Sequence, residues 1–140
     1  MKFMLLIYND PALLSEIPQP EFDSQMRDCL THADELRHEG YLLDSQQLED
    51  PSTARSVRVR KGRQTTVDGP FAESKEVLGG FNLIEARDMD EAVRIAAEFP
   101  WVRSGCVEVR PVRDLNVVRQ QVKHASATAH SADAVGAERS

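Results

Sequence analysis

The stretch from Lys2 to Tyr8 constrains the fold more than any other part of the chain. Side chains alternate along a β-strand, so Phe3, Leu5 and Ile7 share one face while Met4, Leu6 and Tyr8 share the other. Both faces are apolar. Such a strand must be covered on both sides, by a packed layer on one and a second covering element on the other. The same stretch is no signal peptide. Its apolar run is short, breaks at Asn9-Asp10-Pro11, and leads to no small-residue cleavage site.

The patterning downstream supplies the first covering layer. Asn9 to Pro20 holds three prolines and reads as a loop. From Glu21 to Glu39, the positions of Phe22, Met26, Cys29, Leu30, Ala33 and Leu36 form one helical stripe, stopped at Gly40. A short strand follows over Tyr41 to Leu48, then a turn at Asp50-Pro51-Ser52. Ser56 to Arg60 alternates Val57 and Val59 with Arg58 and Arg60, turns at Lys61-Gly62-Arg63, and returns through Thr65 to Val67 as a hairpin. Gly79-Gly80 leads into a strand over Phe81 to Ala86. Asp88 stands three residues before Glu91, a capping-box spacing, and Ala92, Val93, Ala96 and Phe99 make the stripe of a helix ended by Pro100. Cys106 to Val112 is the last strand.

Leu115, Val118 and Val122 fit one short amphipathic helix, and the Ala-, Ser- and His-rich stretch from His124 reads as a mobile tail. The order β-α-β-(hairpin)-β-α-β predicts an α+β fold, a ferredoxin-like sandwich with both helices on one sheet face. The expected domain spans residues 1–113, followed by a tail over 114–140. The other sheet face is then left bare and apolar. A face-to-face homodimer would cover it.

Composition excludes several function classes. A chain of 140 residues, 41% hydrophobic and 29% charged, suits one soluble domain. A net charge of −6 argues against nucleic acid, whose phosphates call for a basic face. No stretch approaches the ~20 apolar residues of a membrane span. Cys29 and Cys106 have no CxxC spacing and no neighbouring His, and His124 and His130 stand in no HxxxH or HExxH pattern, so no metal site is expected. Two reduced thiols fit a cytoplasmic protein. Without a GxGxxG, Walker or GxSxG pattern, no cofactor is implied.

Chemistry concentrates in DGPFAESKE, Asp68 to Glu76. Asp68, Gly69 and Pro70 make a turn by themselves, with Phe71 as an anchor into the core. On a purely structural account Glu73, Lys75 and Glu76 form a solvated rim. On a functional account the motif overhangs a cleft: Asp68 or Glu73 accepts a proton while Lys75 anchors or polarises a ligand. A second constellation lies on strands, where Arg58 shares a face with Arg60 and Glu108 with Arg110. These are either structural ion pairs or, with Glu76, a site whose Arg fork binds a small organic acid. Trp101 is expected in the core or at a dimer seam.

Lys2 to Tyr8, Thr66 to Phe81 with its DGPFAESKEVLGGF run, Asp90-Glu91-Ala92 and VEVRPV (Val107 to Val112) together resemble the DGPF (DGPFAETKE) proteins of the YCII-related group. Ser74 stands where that family usually has Thr. The resemblance covers about residues 1–113 and implies a dimeric α/β barrel, in which two ferredoxin-like halves enclose an intersheet cleft. With the residues above, the expected function is small-molecule binding or cofactor-free isomerase- or lyase-type chemistry on a small polar metabolite in that cleft; the alternative is a regulatory module beside an extracytoplasmic-function sigma factor. The wider group is associated with a His-Asp pair. No motif here carries it over, although His32 and Asp44 would substitute if they were neighbours.

Overall fold

Asn9 ends the first strand of the computed structural model, which describes residues 1–70 and 75–129. This strand, β1 (Lys2–Asn9), takes the inner position that two apolar faces demand. It pairs antiparallel with β5 (Val77–Glu85) on one side and β6 (Gly105–Pro111) on the other. β2 (Leu42–Gln47) adds to the free side of β5, giving the antiparallel order β2-β5-β1-β6. β3 (Arg55–Arg60) and β4 (Arg63–Asp68) form a separate two-stranded ribbon that turns at Lys61-Gly62. The chain order is the β-α-β-(hairpin)-β-α-β expected.

Phe3, Leu5 and Ile84 are fully buried on the helix-covered face of the sheet. α2 (Gln19–His38) adds Cys29, Ala33 and Leu36 to that core, and α3 (Met89–Ala97) adds Ala92, Ile95 and Ala96. Phe99 and Trp101 close its end. Each large side chain buried here contributes about 1.5–3 kcal/mol of apolar transfer. Asp88 caps α3 by accepting the Glu91 N–H at 2.9 Å, and the Glu91 carboxylate accepts the Arg87 N–H at 2.8 Å.

The structure corrects the stripes in detail. Leu30 and Val93 are exposed, at 56% and 48%, because each sits about 100° round its helix from the sheet-facing positions. Ile95 takes the place expected of Val93. The proline-rich loop contains a short helix, α1 (Pro11–Ser15): Asp10 caps it through the Ala12 N–H, and Pro11 occupies a first-turn position that needs no donor. β5 begins at Val77, so the paired glycines belong to the strand. α4 (Leu115–Ala129) runs past His124 where a tail was expected. His130 and the rest of 130–140 lie outside the described residues.

Met4, Leu6 and Tyr8 point to the opposite sheet face and remain half-buried, as do Phe81 and Leu83 beside them. Along α4, Leu115 and Val122 are exposed and Val118 half-buried. Among the described residues no helix is long and apolar enough to cross a membrane.

Candidate functional site

Asn9 continues the helix-facing alternation of Phe3, Leu5 and Ile7, placing a carboxamide where the core pattern would have another apolar side chain. Here a cavity of about 300 Å³ opens between the end of β1, the first turns of α2, the Gln47–Pro51 segment and the start of β5. That volume is at the lower bound of small-molecule sites. Its apolar walls include Phe22 and Trp101, whose ring centroids are 5.8 Å apart at 42°. The Trp101 indole N–H donates to Cys29 Sγ at 3.3 Å and is fixed in orientation. Burial pushes the Cys29 thiol pKa up, and the indole hydrogen bond partly counters it.

The polar groups cluster at the mouth of β1. Asn9 Oδ1 is buried without a hydrogen-bond partner among the described residues. Asp10, 2% exposed, accepts the Ala12 N–H at 3.0 Å through Oδ1, and its Oδ2 lies 3.7 Å from the Lys75 ammonium. Gly79 makes the arrangement possible. The β1–β5 register shifts between Ile7 and Tyr8, and a Cβ on Gly79 would lie 2.2 Å from Asn9 Nδ2. Across the cavity, Asp50 caps a 3-10 turn at Pro51–Thr53 by accepting from Ser52, and those hydrogen bonds lower its pKa.

The residues singled out in the sequence are distributed unevenly around this cavity. Lys75 does not line it: its ammonium pairs with Asp10, which sits behind the lining beside Asn9, and its own side chain is 83% exposed. Asp68 does not line it. Its carboxylate pairs with Arg55 across the β3–β4 ribbon at 3.1 Å, and the turn behind it is tied back by the Gly69 N–H donating to Ala54 O at 2.7 Å. Gly69 has φ +96°, as the turn required. Glu73 and the Phe71 anchor lie outside the described residues. Glu76 is half-buried just before β5.

Arg58 is half-buried on β3, whereas Arg110 belongs to the main sheet. Arg110 Nε donates to Glu108 at 3.1 Å, and this bond and its charge raise the Arg110 pKa. The register sets Glu108 opposite Leu6 and Arg110 opposite Met4, so the pair stands on the sheet face turned away from the helices. His32 packs edge-on against Phe99 with centroids 4.5 Å apart, its Nδ1 3.6 Å from Glu98. Asp44 sits opposite Leu83 and accepts the Ser45 N–H. His32 faces α3 and Asp44 the other side of the sheet, so they form no dyad.

Asn9 and Asp10 are the residues that pattern reading passed over. Their signal was present: a polar residue on the apolar face of a strand, then an Asp-Pro helix start. Among the described residues, no cluster of three or more His, Cys, Asp or Glu is arranged to hold a metal.

Comparison with known proteins places the chain. An uncharacterized protein of Rhizobium meliloti (strain 1021) is 33% identical over 114 residues, covering 80% of this chain and 92% of that one. A solved structure of 5-chloro-2-hydroxyhydroquinone dehydrochlorinase from Burkholderia phenoliruptrix, in complex with 2,5-dihydroxybenzoquinone, is similar at 14% identity. Its TM-score is 0.46, over 81% of this chain and 94% of that one. The model of the YCII-related domain matches residues 1–116, and the chain belongs to that family.

Proposed function

We propose that the protein is a homodimeric small-molecule-binding protein of the DGPF branch, or a cofactor-free acid/base enzyme of isomerase or lyase type, with its ligand in the cavity at the end of β1. The observation that carries this reading is a cavity of about 300 Å³ lined by Asn9, Phe22 and Trp101, with the buried carboxylate of the next residue, Asp10, held 3.7 Å from Lys75 behind that lining. A rearrangement that opened the lining at Asn9 and Pro11 would bring this carboxylate within reach of a bound molecule. Asp10 takes the part that the sequence suggested for Asp68 or Glu73, and Lys75 keeps the part suggested for it.

The bare sheet face supports the dimer. Two ferredoxin-like halves meeting through Met4, Leu6, Tyr8, Phe81 and Leu83 would make a dimeric α/β barrel and remove that apolar surface from water. The exposed apolar residues of α4, Leu115 and Val122, support a second reading: a regulatory module docking a protein such as an extracytoplasmic-function sigma factor. Removing residues 114–140 separates the two, since it abolishes docking and leaves cavity binding intact.

The test of the first reading is a small-molecule screen followed by thermal unfolding and Trp101 emission, since Trp101 is the only tryptophan. Ligands that occupy the cavity raise the melting temperature and shift that emission. Asp10→Asn or Lys75→Met should abolish any turnover while leaving the emission response. A screen in which no compound moves either signal overturns the reading.

A further inference from the structure

Resting on the reading that this cavity holds a ligand, we infer that the ligand is uncharged: a small apolar body carrying an alcohol or amide group, and not an organic acid. Among the described residues the cavity lining contains no Lys, Arg or His. Its two carboxylates, Glu49 and Asp50, are both exposed, and Asp50 is already engaged by Ser52. Neither ion class therefore meets a buried counter-charge, and an ion moved from water into an apolar site without one is strongly disfavoured.

Lys75 does not repair this for an acid. Its ammonium lies 3.7 Å from Asp10 Oδ2, so a ligand carboxylate that captured it would strip a buried carboxylate of its cation. The walls meanwhile suit a ring, since Phe22 and Trp101, packed on each other at 5.8 Å, offer it one aromatic surface. Asn9 supplies the missing polar partner. Its Oδ1 is a buried acceptor with no donor among the described residues, a condition a hydroxyl or amide N–H on the ligand would relieve. Asn9 and the apolar walls belong to one cavity lining, so a turn of the Asn9 carboxamide toward the cavity lets a single small molecule touch both.

Four probes sharing one ring test the inference: benzyl alcohol, benzamide, benzoate and benzylamine at neutral pH, with toluene as the apolar reference. Binding is read from the Trp101 indole N–H signal in NMR spectra of the full chain. Benzyl alcohol and benzamide should bind at least about tenfold more tightly than benzoate or benzylamine. Asn9→Leu should weaken benzyl alcohol about tenfold and leave toluene unchanged. Asn9→Asp, nearly the same shape, should move the preference to benzylamine, which keeps the test usable if the leucine variant misfolds. Benzoate or benzylamine binding to the wild type as tightly as the alcohol overturns the inference and spares the binding reading. Silence of Trp101 with every probe, toluene included, overturns both.

Discussion

Leu6→Glu should convert the proposed dimer to a folded monomer. In the sheet, Leu6 stands between Phe81 on β5 and Glu108 on β6, on the face away from the helices. It is half-buried in a single chain, so covering it with a second copy removes roughly 1 kcal/mol more of apolar surface from water. The glutamate loses that and adds about 1–3 kcal/mol for a polar group desolvated without a partner. It also faces Glu108, a like charge directly across the strands. A two-fold interface counts each term twice, which gives about 4 kcal/mol or more, or a dissociation constant raised about a thousandfold. Within the chain the cost is small, because the core residues Phe3 and Leu5 face the other way. Sedimentation velocity across a concentration series reads the outcome, with circular dichroism as the check on folding and Val93→Glu on the exposed side of α3 as the control. A wild type that sediments as a monomer refutes the reasoning. So does a Leu6→Glu variant that remains dimeric at low micromolar concentration.

Other outcomes follow from local geometry. Cys106 lies opposite Tyr8 on the bare sheet face, so the proposed dimer predicts slow alkylation in the wild type and fast alkylation in Leu6→Glu; equal rates in both contradict the covered face. Cys29 should react only on unfolding. Burial raises its pKa above the usual 9.0, so the fold favours the protonated thiol; that contribution is complete below about 9 and declines as pH rises through the higher folded value. Thiol titration against pH, native and in denaturant, checks both statements. Gly105→Ala should prevent stable folding, because its Cβ would stand 1.9 Å from the Tyr8 carbonyl oxygen, which is backbone and cannot rotate away. Gly79→Ala clashes with the Asn9 side chain and reaches backbone only at ordinary contact distance, so it should fold and lose ligand binding. Thermal unfolding separates the two substitutions, and equal stability would refute the distinction.

Features set by local chemistry were legible in the sequence. The doubly apolar β1, the Lys61-Gly62 hairpin and the Asp88–Glu91 cap each depend on residues within a few positions, and all appear as read. The errors at Leu30 and Val93 arise because a stripe has edges. A neighbour one residue along a helix is apolar too, and only the packed sheet decides which of them turns inward. Asp68 shows a different limit. Its turn was readable, but its carboxylate goes to Arg55, a partner supplied by strand register. The charged faces with Arg58 and Arg60 and with Glu108 and Arg110 were visible as same-face residues, yet which sheet each strand joins is settled by long-range pairing. The cavity was the least legible feature. It is assembled from β1, α2, the segment after β2 and the start of β5, which lie far apart along the chain.

The most direct measurement is a crystal structure of the protein after a small-molecule screen. The account expects a ligand against Phe22 and Trp101, within hydrogen-bond reach of Asn9. Ligands found instead beside Glu108 and Arg110 on the opposite sheet face, with the cavity filled only by water, would contradict it.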